Sequence, residues 1–272
     1  MDDDAPRSLA LGGLTPLSTC DWPGKLVATV FCQGCPWNCV YCHNPNLIDP
    51  RRPGTVAWDD VLDLLKRRVG LLDALVFSGG EPTRQDLRDA IVQVKNLGFE
   101  VGLHTMGAYP RRLAELLPLI DWVGFDVKAA PGQAEEITRT SGATGAMETS
   151  LELLVASGVP HQVRTTWGPG VMSRERAEEA RAWARSRGVA DPVLQDVRTE
   201  GTRPPFARAY ALALGAGVGV AQAATPVIKR DKTPLVLMDK GGIDSYCEAP
   251  ADARRSRLPQ EHRLGLPSRR SG

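Results

Sequence analysis

The chain has 272 residues, 42% hydrophobic and 24% charged, which is enough apolar material for one sizeable globular domain or a domain with an appendage. A net charge of +1 supplies no global field to draw in nucleic acid or a membrane surface, so neither is an expected partner. The opening Met1-Asp2-Asp3-Asp4 is acidic and has no apolar run behind it, so the reading is a cytoplasmic protein without a secretory signal.

Residues 1–7 are polar and read as loose, and Leu9 to Asp21 as an irregular lead-in. Trp22-Pro23-Gly24 is a turn by its Pro-Gly pair. Lys25 to Cys32, rich in Val, Thr and Phe, is the first predicted strand. A cysteine-rich loop, Cys32-Gln33-Gly34-Cys35-Pro36-Trp37-Asn38-Cys39-Val40-Tyr41-Cys42-His43-Asn44-Pro45, follows directly and holds four of the six cysteines. Thr55 to Arg68 keeps near-helical spacing of Val56, Val61, Leu64 and Leu65. Asp73 to Ser78 is a second strand ending in Ser78-Gly79-Gly80-Glu81-Pro82, after which Thr83 is expected to cap a helix that stops at Gly98. Strands are predicted at Glu100 to Thr105, Trp122 to Val127, His161 to Trp167 and Pro192 to Val197. Helices are predicted from Pro110, over Glu148 to Ala156, and over Ser173 to Arg187.

Six strands alternating with helices imply parallel pairing through right-handed crossovers, in either a doubly wound sheet or an incomplete barrel. In both, chemistry gathers where strands end at their carboxyl side. The cysteine loop, the Gly-Gly-Glu turn, His104-Thr105, Asp126-Val127-Lys128 and Arg164-Thr165-Thr166 all fall at such ends. Tyr210 to Ala224 is uncharged and rich in Ala and Gly, too weakly apolar for a membrane span. Residues 251–272 carry six Arg against Asp252 and Glu261 and read as a solvated basic tail. The division expected is a lead-in over 1–21, a barrel over 22–200 and a low-complexity, disordered tail over 201–272.

Cys35, Cys39 and Cys42 have C-x3-C-x2-C spacing, and thiolates so close in sequence can wrap one iron–sulfur cluster from a single loop. Three ligands on a four-iron cubane would leave one iron open to a small molecule. Zinc is the first alternative, but its paired knuckles usually stand about 12–20 residues apart. The order is not that of a bacterial ferredoxin run, and nothing points to an oxidising compartment that would favour disulfides. Cys32 shares one strand face with Leu26, Ala28 and Val30 and reads as a packing residue, as do the isolated Cys20 and Cys247.

This cysteine spacing, with Tyr41 just before the last ligand, resembles the radical S-adenosylmethionine (SAM) superfamily. Asp21-Trp22-Pro23-Gly24-Lys25, the apolar run to Phe31, Gln33-Gly34-Cys35 and Cys42-His43-Asn44-Pro45 stand in the order used by its glycyl-radical-enzyme activases. The nearest likeness is to those serving anaerobic ribonucleoside-triphosphate reductase, over roughly residues 8 to 200. The resemblance implies a partial (βα)6 TIM-like barrel. It also implies a 4Fe-4S cluster on Cys35, Cys39 and Cys42, and SAM cleaved reductively so that a radical takes a glycine hydrogen from a large partner enzyme. A reduced flavodoxin or ferredoxin would be the electron donor, and no side chain would be catalytic beyond the cluster and SAM.

The resemblance further assigns SAM contacts to Ser78, Gly79, Gly80 and Glu81, to Asp126 and Lys128, to Arg164 and Thr165, and an aromatic position beside the cofactor to Tyr41. His104-Thr105-Met106-Gly107 departs from the family's Asp-Thr-Asn-Gly, whose Asp helps hold a monovalent cation. A neutral imidazole is a poor ligand for so hard a cation, which puts that cation site in doubt; His104, with Thr105 beside it among the assigned contacts, either hydrogen-bonds SAM or the glycyl loop or is a satisfied structural histidine. The alternatives are a radical SAM enzyme acting on a small molecule such as a deazapurine precursor, and a non-catalytic metal-binding module.

Overall fold

The computed structural model describes residues 9–215. The expectations for residues 1–8 and 216–272 lie outside the described residues, so the three-part division of the chain stays a proposal. A single sheet runs in sequential order, β1 (Leu11–Ser18), β2 (Val27–Cys32), β3 (Ala74–Gly79), β4 (Glu100–Thr105), β5 (Trp122–Asp126), β6 (His161–Trp167) and β7 (Val193–Asp196). The β1 strand pairs antiparallel with β2, and β2 to β7 are all parallel. Between them lie α1 (Trp58–Lys66), α2 (Arg88–Asn96), α3 (Pro110–Leu116), α4 (Ala134–Thr138), α5 (Ala143–Ser157) and α6 (Arg174–Ser186), with α7 (Pro204–Ala213) after β7. This is the expected open, partial barrel of six βα units, with one further strand at its first edge.

That further strand is the main departure from the sequence reading. Gly12, Gly13 and Pro16 look like breakers, yet Pro is tolerated on an edge strand, where its missing N–H withdraws nothing from the ladder. Irregularities at Leu11/Gly13 and Thr15/Ser18 absorb the poor strand formers. Two helix starts also differ. Thr83 caps no helix: residues Pro82–Arg84 form one 3-10 turn and α2 begins at Arg88. The α5 helix begins at Ala143, because burial of Ala143 and Met147 outweighs the breaking tendency of Gly145. The Ser173 cap of α6 is present, its hydroxyl accepting from the Arg176 N–H.

The pleat sorts the strands into two cores. Ala28, Val30, Cys32, Leu75, Phe77, Val101, Leu103, Val123 and Phe125 face the helices in one large cluster, which includes Cys32 as the packing residue expected. The barrel interior has its own small floor of Trp22, Val27, Ala74, Val76 and Trp122. Trp22 arrives from the β1–β2 connection and stacks on Trp122 with ring centroids 5.3 Å apart. A Cβ on Gly102 would meet the Trp22 ring at 2.9 Å, so the missing side chain is what makes room for the plug. Trp22→Ala leaves a void that rigid strands cannot close, and we expect a stability loss of about 3–5 kcal/mol by chemical denaturation. Leu212→Ala, at a 66% exposed position, is expected to change stability by no more than about 0.5 kcal/mol.

Candidate functional site

Because β2 to β7 run parallel, their carboxyl ends form one rim, and the loops leaving them enclose a cavity of about 1100 Å³. Its depth begins above the tryptophan floor. His104, 7% exposed, directs Nε2 at the Asp21 carbonyl oxygen at 2.6 Å and Nδ1 at the Ser78 hydroxyl at 3.3 Å. A carbonyl can only accept, so Nε2 carries a hydrogen, whereas the Ser78 hydroxyl can give or receive one. Burial first, and then the Arg164 charge, push the ring's pKa down to about 4, which favours the neutral imidazole at pH 7 with Nδ1 accepting from Ser78. His104 ties the plug loop to the end of β3, and it occupies the hydroxyl of Ser78, which the sequence assigns to a ligand.

Above it stands a buried charge cluster. The Asp126 carboxylate accepts from Lys128 Nζ at 3.1 Å on one oxygen and from Arg164 Nε at 3.0 Å on the other. Burial alone would raise this carboxyl, but the charges of Lys128 and Arg164 outweigh it and hold it well below the usual carboxylate range. Burial opposes the charged form of Lys128 as well, and Asp126 raises its pKa nonetheless. Lys128 Nζ also lies 5.4 Å from the centre of the Tyr41 ring. Two cations sharing one anion give this wall a net positive charge, suited to an anionic group on a ligand.

Other expected site residues are placed differently. Glu81 is fully buried and does not line the cavity. Its Oε1 accepts from the Thr83 N–H and hydroxyl at 3.1 and 2.6 Å and from the Thr105 hydroxyl at 2.7 Å, while Oε2 accepts from the Met106 N–H at 3.1 Å. Glu81 thus staples the β3 turn to the end of β4. Thr165 points to the opposite face of β6, and its neighbours Gln162, Arg164 and Thr166 form the wall. Period-two counting from Arg164 selects Thr166, which the sequence reading places at the rim but leaves out of the assigned SAM contacts. Gly79 and Gly80 do line the cavity, but what their bare backbones approach is the cysteine loop. A Cβ on Gly79 would stand 2.5 Å from the Cys32 nitrogen, and one on Gly80 2.4 Å from the Gly34 oxygen.

Cys35, Cys39 and Cys42 all line the cavity beside Tyr41. They do not form a ligand set: among the described residues no group of three His, Cys, Asp or Glu side chains is placed to hold a metal ion. The expected three-cysteine 4Fe-4S cluster is corrected on that ground. Burial pushes the thiols of all three cysteines up, which keeps them protonated at neutral pH. The Tyr41 hydroxyl is buried without a well-formed hydrogen bond. Cys20 is not among the free thiols, contrary to its reading as plain packing, and Cys247 lies outside the described residues. No helix among the described residues is long and apolar enough to cross a membrane.

An open barrel of parallel strands, with charged and hydroxyl side chains converging on one cavity at its carboxyl rim, is the layout of a barrel enzyme. The chain belongs to the radical SAM superfamily, whose family model matches residues 29–183. It is 34% identical over 182 residues to a putative glycyl-radical enzyme activating enzyme of Methanocaldococcus jannaschii, spanning 62% of this chain and 72% of that protein. It is 25% identical over 185 residues to a 7-carboxy-7-deazaguanine synthase of Thermococcus kodakarensis, spanning 60% and 70% of the two chains. The solved structure of native anSMEcpe with bound AdoMet and the Cp18Cys peptide superposes with a TM-score of 0.50 at 14% identity, over 61% of this chain and 48% of that one, and shows the shared fold alone.

Two outcomes follow from the electrostatics. Removing the shared anion by Asp126→Asn leaves two buried cations repelling each other, and we expect a loss of about 3–5 kcal/mol in urea denaturation. Lys128→Met in the same chain is expected to restore part of it. For His104, the folded pKa of about 4 lies below the unfolded value, so the unfolded chain binds the extra proton between about pH 4 and pH 6.5. Stability contributed by the neutral ring is complete above that window and is lost as pH falls through it, by on the order of 3 kcal/mol. His104→Gln is expected to flatten this part of the stability–pH curve.

Proposed function

We propose that this protein is the activating enzyme of a glycyl-radical system. In this reading it cleaves SAM reductively and takes a Cα hydrogen from a glycine of a large partner enzyme, anaerobic ribonucleoside-triphosphate reductase by resemblance. Reduced flavodoxin or ferredoxin would supply the electron. The observation that carries the reading is the similarity to the putative glycyl-radical enzyme activating enzyme of Methanocaldococcus jannaschii over 72% of that protein's length. The geometry supports it too. The cavity reaches all four residues of β7, whereas in β6 it meets only alternate ones, so it runs out past the last strand to the side. A sideways opening suits a polypeptide loop, which a closed barrel would exclude.

In this reading SAM, when bound, supplies the hydrogen-abstracting radical, and the chain's own residues orient it and exclude water. Lys128 and Arg164 would face its carboxylate, and the Gly79-Gly80 backbone would pass beside its amino end. His104 stays neutral and holds Ser78 and the floor in place. A second reading, a radical SAM enzyme for a deazapurine precursor, is favoured by the similarity to the Thermococcus synthase.

The test is anaerobic mixing of the protein with SAM, reduced flavodoxin and the reductase. The activase reading expects a glycyl-radical doublet by electron paramagnetic resonance on the reductase, together with 5′-deoxyadenosine. Deoxyadenosine released with a deazapurine precursor, and no radical on the reductase, would replace it with the second reading. No release under either condition would reject both.

A further inference from the structure

Among the described residues after β7, the segment 199–206 turns back across the rim and settles on the cysteine loop. A Thr199–Thr202 turn, closed by N–H and hydroxyl bonds to the Thr199 oxygen at 3.1 and 2.6 Å, sets its direction. His43 Nδ1 donates to the Glu200 carbonyl oxygen at 2.9 Å. Gly201, at φ +75°, passes so close that a Cβ would stand 2.5 Å from the His43 oxygen. Arg203 places Nη1 3.0 Å from the Cys39 carbonyl oxygen and Nη2 on the Asn38 side-chain oxygen. Phe206, buried, anchors the far end against Gly170.

On its other side the same loop is held by backbone bonds from Asn38 to the Thr138 oxygen at 2.9 Å and from Val40 to the Ile137 oxygen at 3.0 Å. Residues 38–43 therefore sit between the end of α4 and the segment after β7, which joins the last strand of the open barrel to the loop following β2. Backbone bonds secure the α4 side. The other side is held by the His43–Glu200 hydrogen bond and by one charged side chain, Arg203, whose forked geometry reaches a carbonyl and an amide oxygen together.

We infer that Arg203 is a positioning residue: residues 199–206 brace the cysteine loop across the open rim, and the Arg203 fork sets where Cys39 and Cys42 stand in the cavity wall. This holds whether or not the activase reading does, because it concerns the exposure of the loop and not the reaction. The brace opens locally, without unfolding the strands beneath.

The experiment is iodoacetamide labelling of the full chain under reducing, anaerobic conditions, with each cysteine followed by peptide mass spectrometry. Buried Cys32 serves as internal reference. Arg203→Gln is expected to raise the labelling rates of Cys39 and Cys42 on the order of tenfold, the effect of losing a charge-assisted hydrogen bond on a local opening. Cys32 and the thermal midpoint should be unchanged. Arg203→Lys, which keeps one bond but not the fork, should fall between, and Gly201→Ala should act like Arg203→Gln. Arg208→Ala, an exposed position on α7, should do nothing. Unchanged rates at Cys39 and Cys42 in Arg203→Gln would overturn the inference. So would a rise shared by Cys32 with a lowered midpoint, which would mean general destabilisation.

Discussion

Six parallel strands that end on the same side leave their last backbone groups pointing at one another's loops. Those groups must be paired, because an unmade buried hydrogen bond costs roughly 1–3 kcal/mol. The rim is built from that requirement. Gly80 donates to the Cys32 oxygen, Glu81 to the Gly34 oxygen and Gly34 to the Leu47 oxygen, so the loops after β2 and β3 serve as each other's partners. Side chains complete the work where backbone cannot reach. Glu81 joins the ends of β3 and β4, Asp126 joins β5 to β6 through Arg164, and His104 joins β4 to the plug loop. The cavity wall is thus a by-product of satisfying strand ends, and that is why polar residues concentrate there.

This division of labour explains what was legible beforehand. The six parallel strands and most of their helices follow from local pattern, since each strand is a short β-branched or apolar run and several helices end at a glycine; α4, five residues closed by a left-handed Arg139, carries no such signal. The rim also follows, because strand ends are local features. The direction of each side chain at the rim does not. Thr165 and Thr166 differ only by which face of β6 they occupy, and they are told apart only by counting in twos from a neighbour whose face is known. Glu81 and Ser78 look like ligand contacts by position, but their polar atoms are consumed by Thr105 and His104, which stand 24 and 26 residues further along the chain. The β1 strand was missed because its glycines and proline obscure the alternation that normally marks a strand. Arg203 carries no local sign at all, its partner Cys39 being 164 residues away.

The cysteine motif separates two kinds of inference. Its spacing is diagnostic of membership, and the superfamily match confirms that level. It also brings three thiols to one wall, because a short loop leaving a single strand cannot scatter them. Convergence on a common point is a stricter condition, set by the loop's backbone path, and the described residues do not meet it. That path is dictated by protein contacts on both flanks of residues 38–43 and by the Gly34 and Cys35 N–H groups bonding to the Leu47 and Ile48 oxygens. Spacing limits how far apart such groups can lie; packing decides where they point.

An incomplete barrel carries a cost that a closed one avoids, namely two strand edges. Here they are treated differently. The β1 edge is covered at its start, with Leu11 bridged to Val56 and Thr55 bonded back to Leu11 and Gly12. The β7 edge makes no ladder beyond β6 among the described residues, and the cavity extends along it. A four-residue edge is short enough to resist unwanted pairing. Residues 199–206 cross the rim from the last strand to the cysteine loop, so that loop is held on both flanks while the β7 edge carries no further ladder among the described residues.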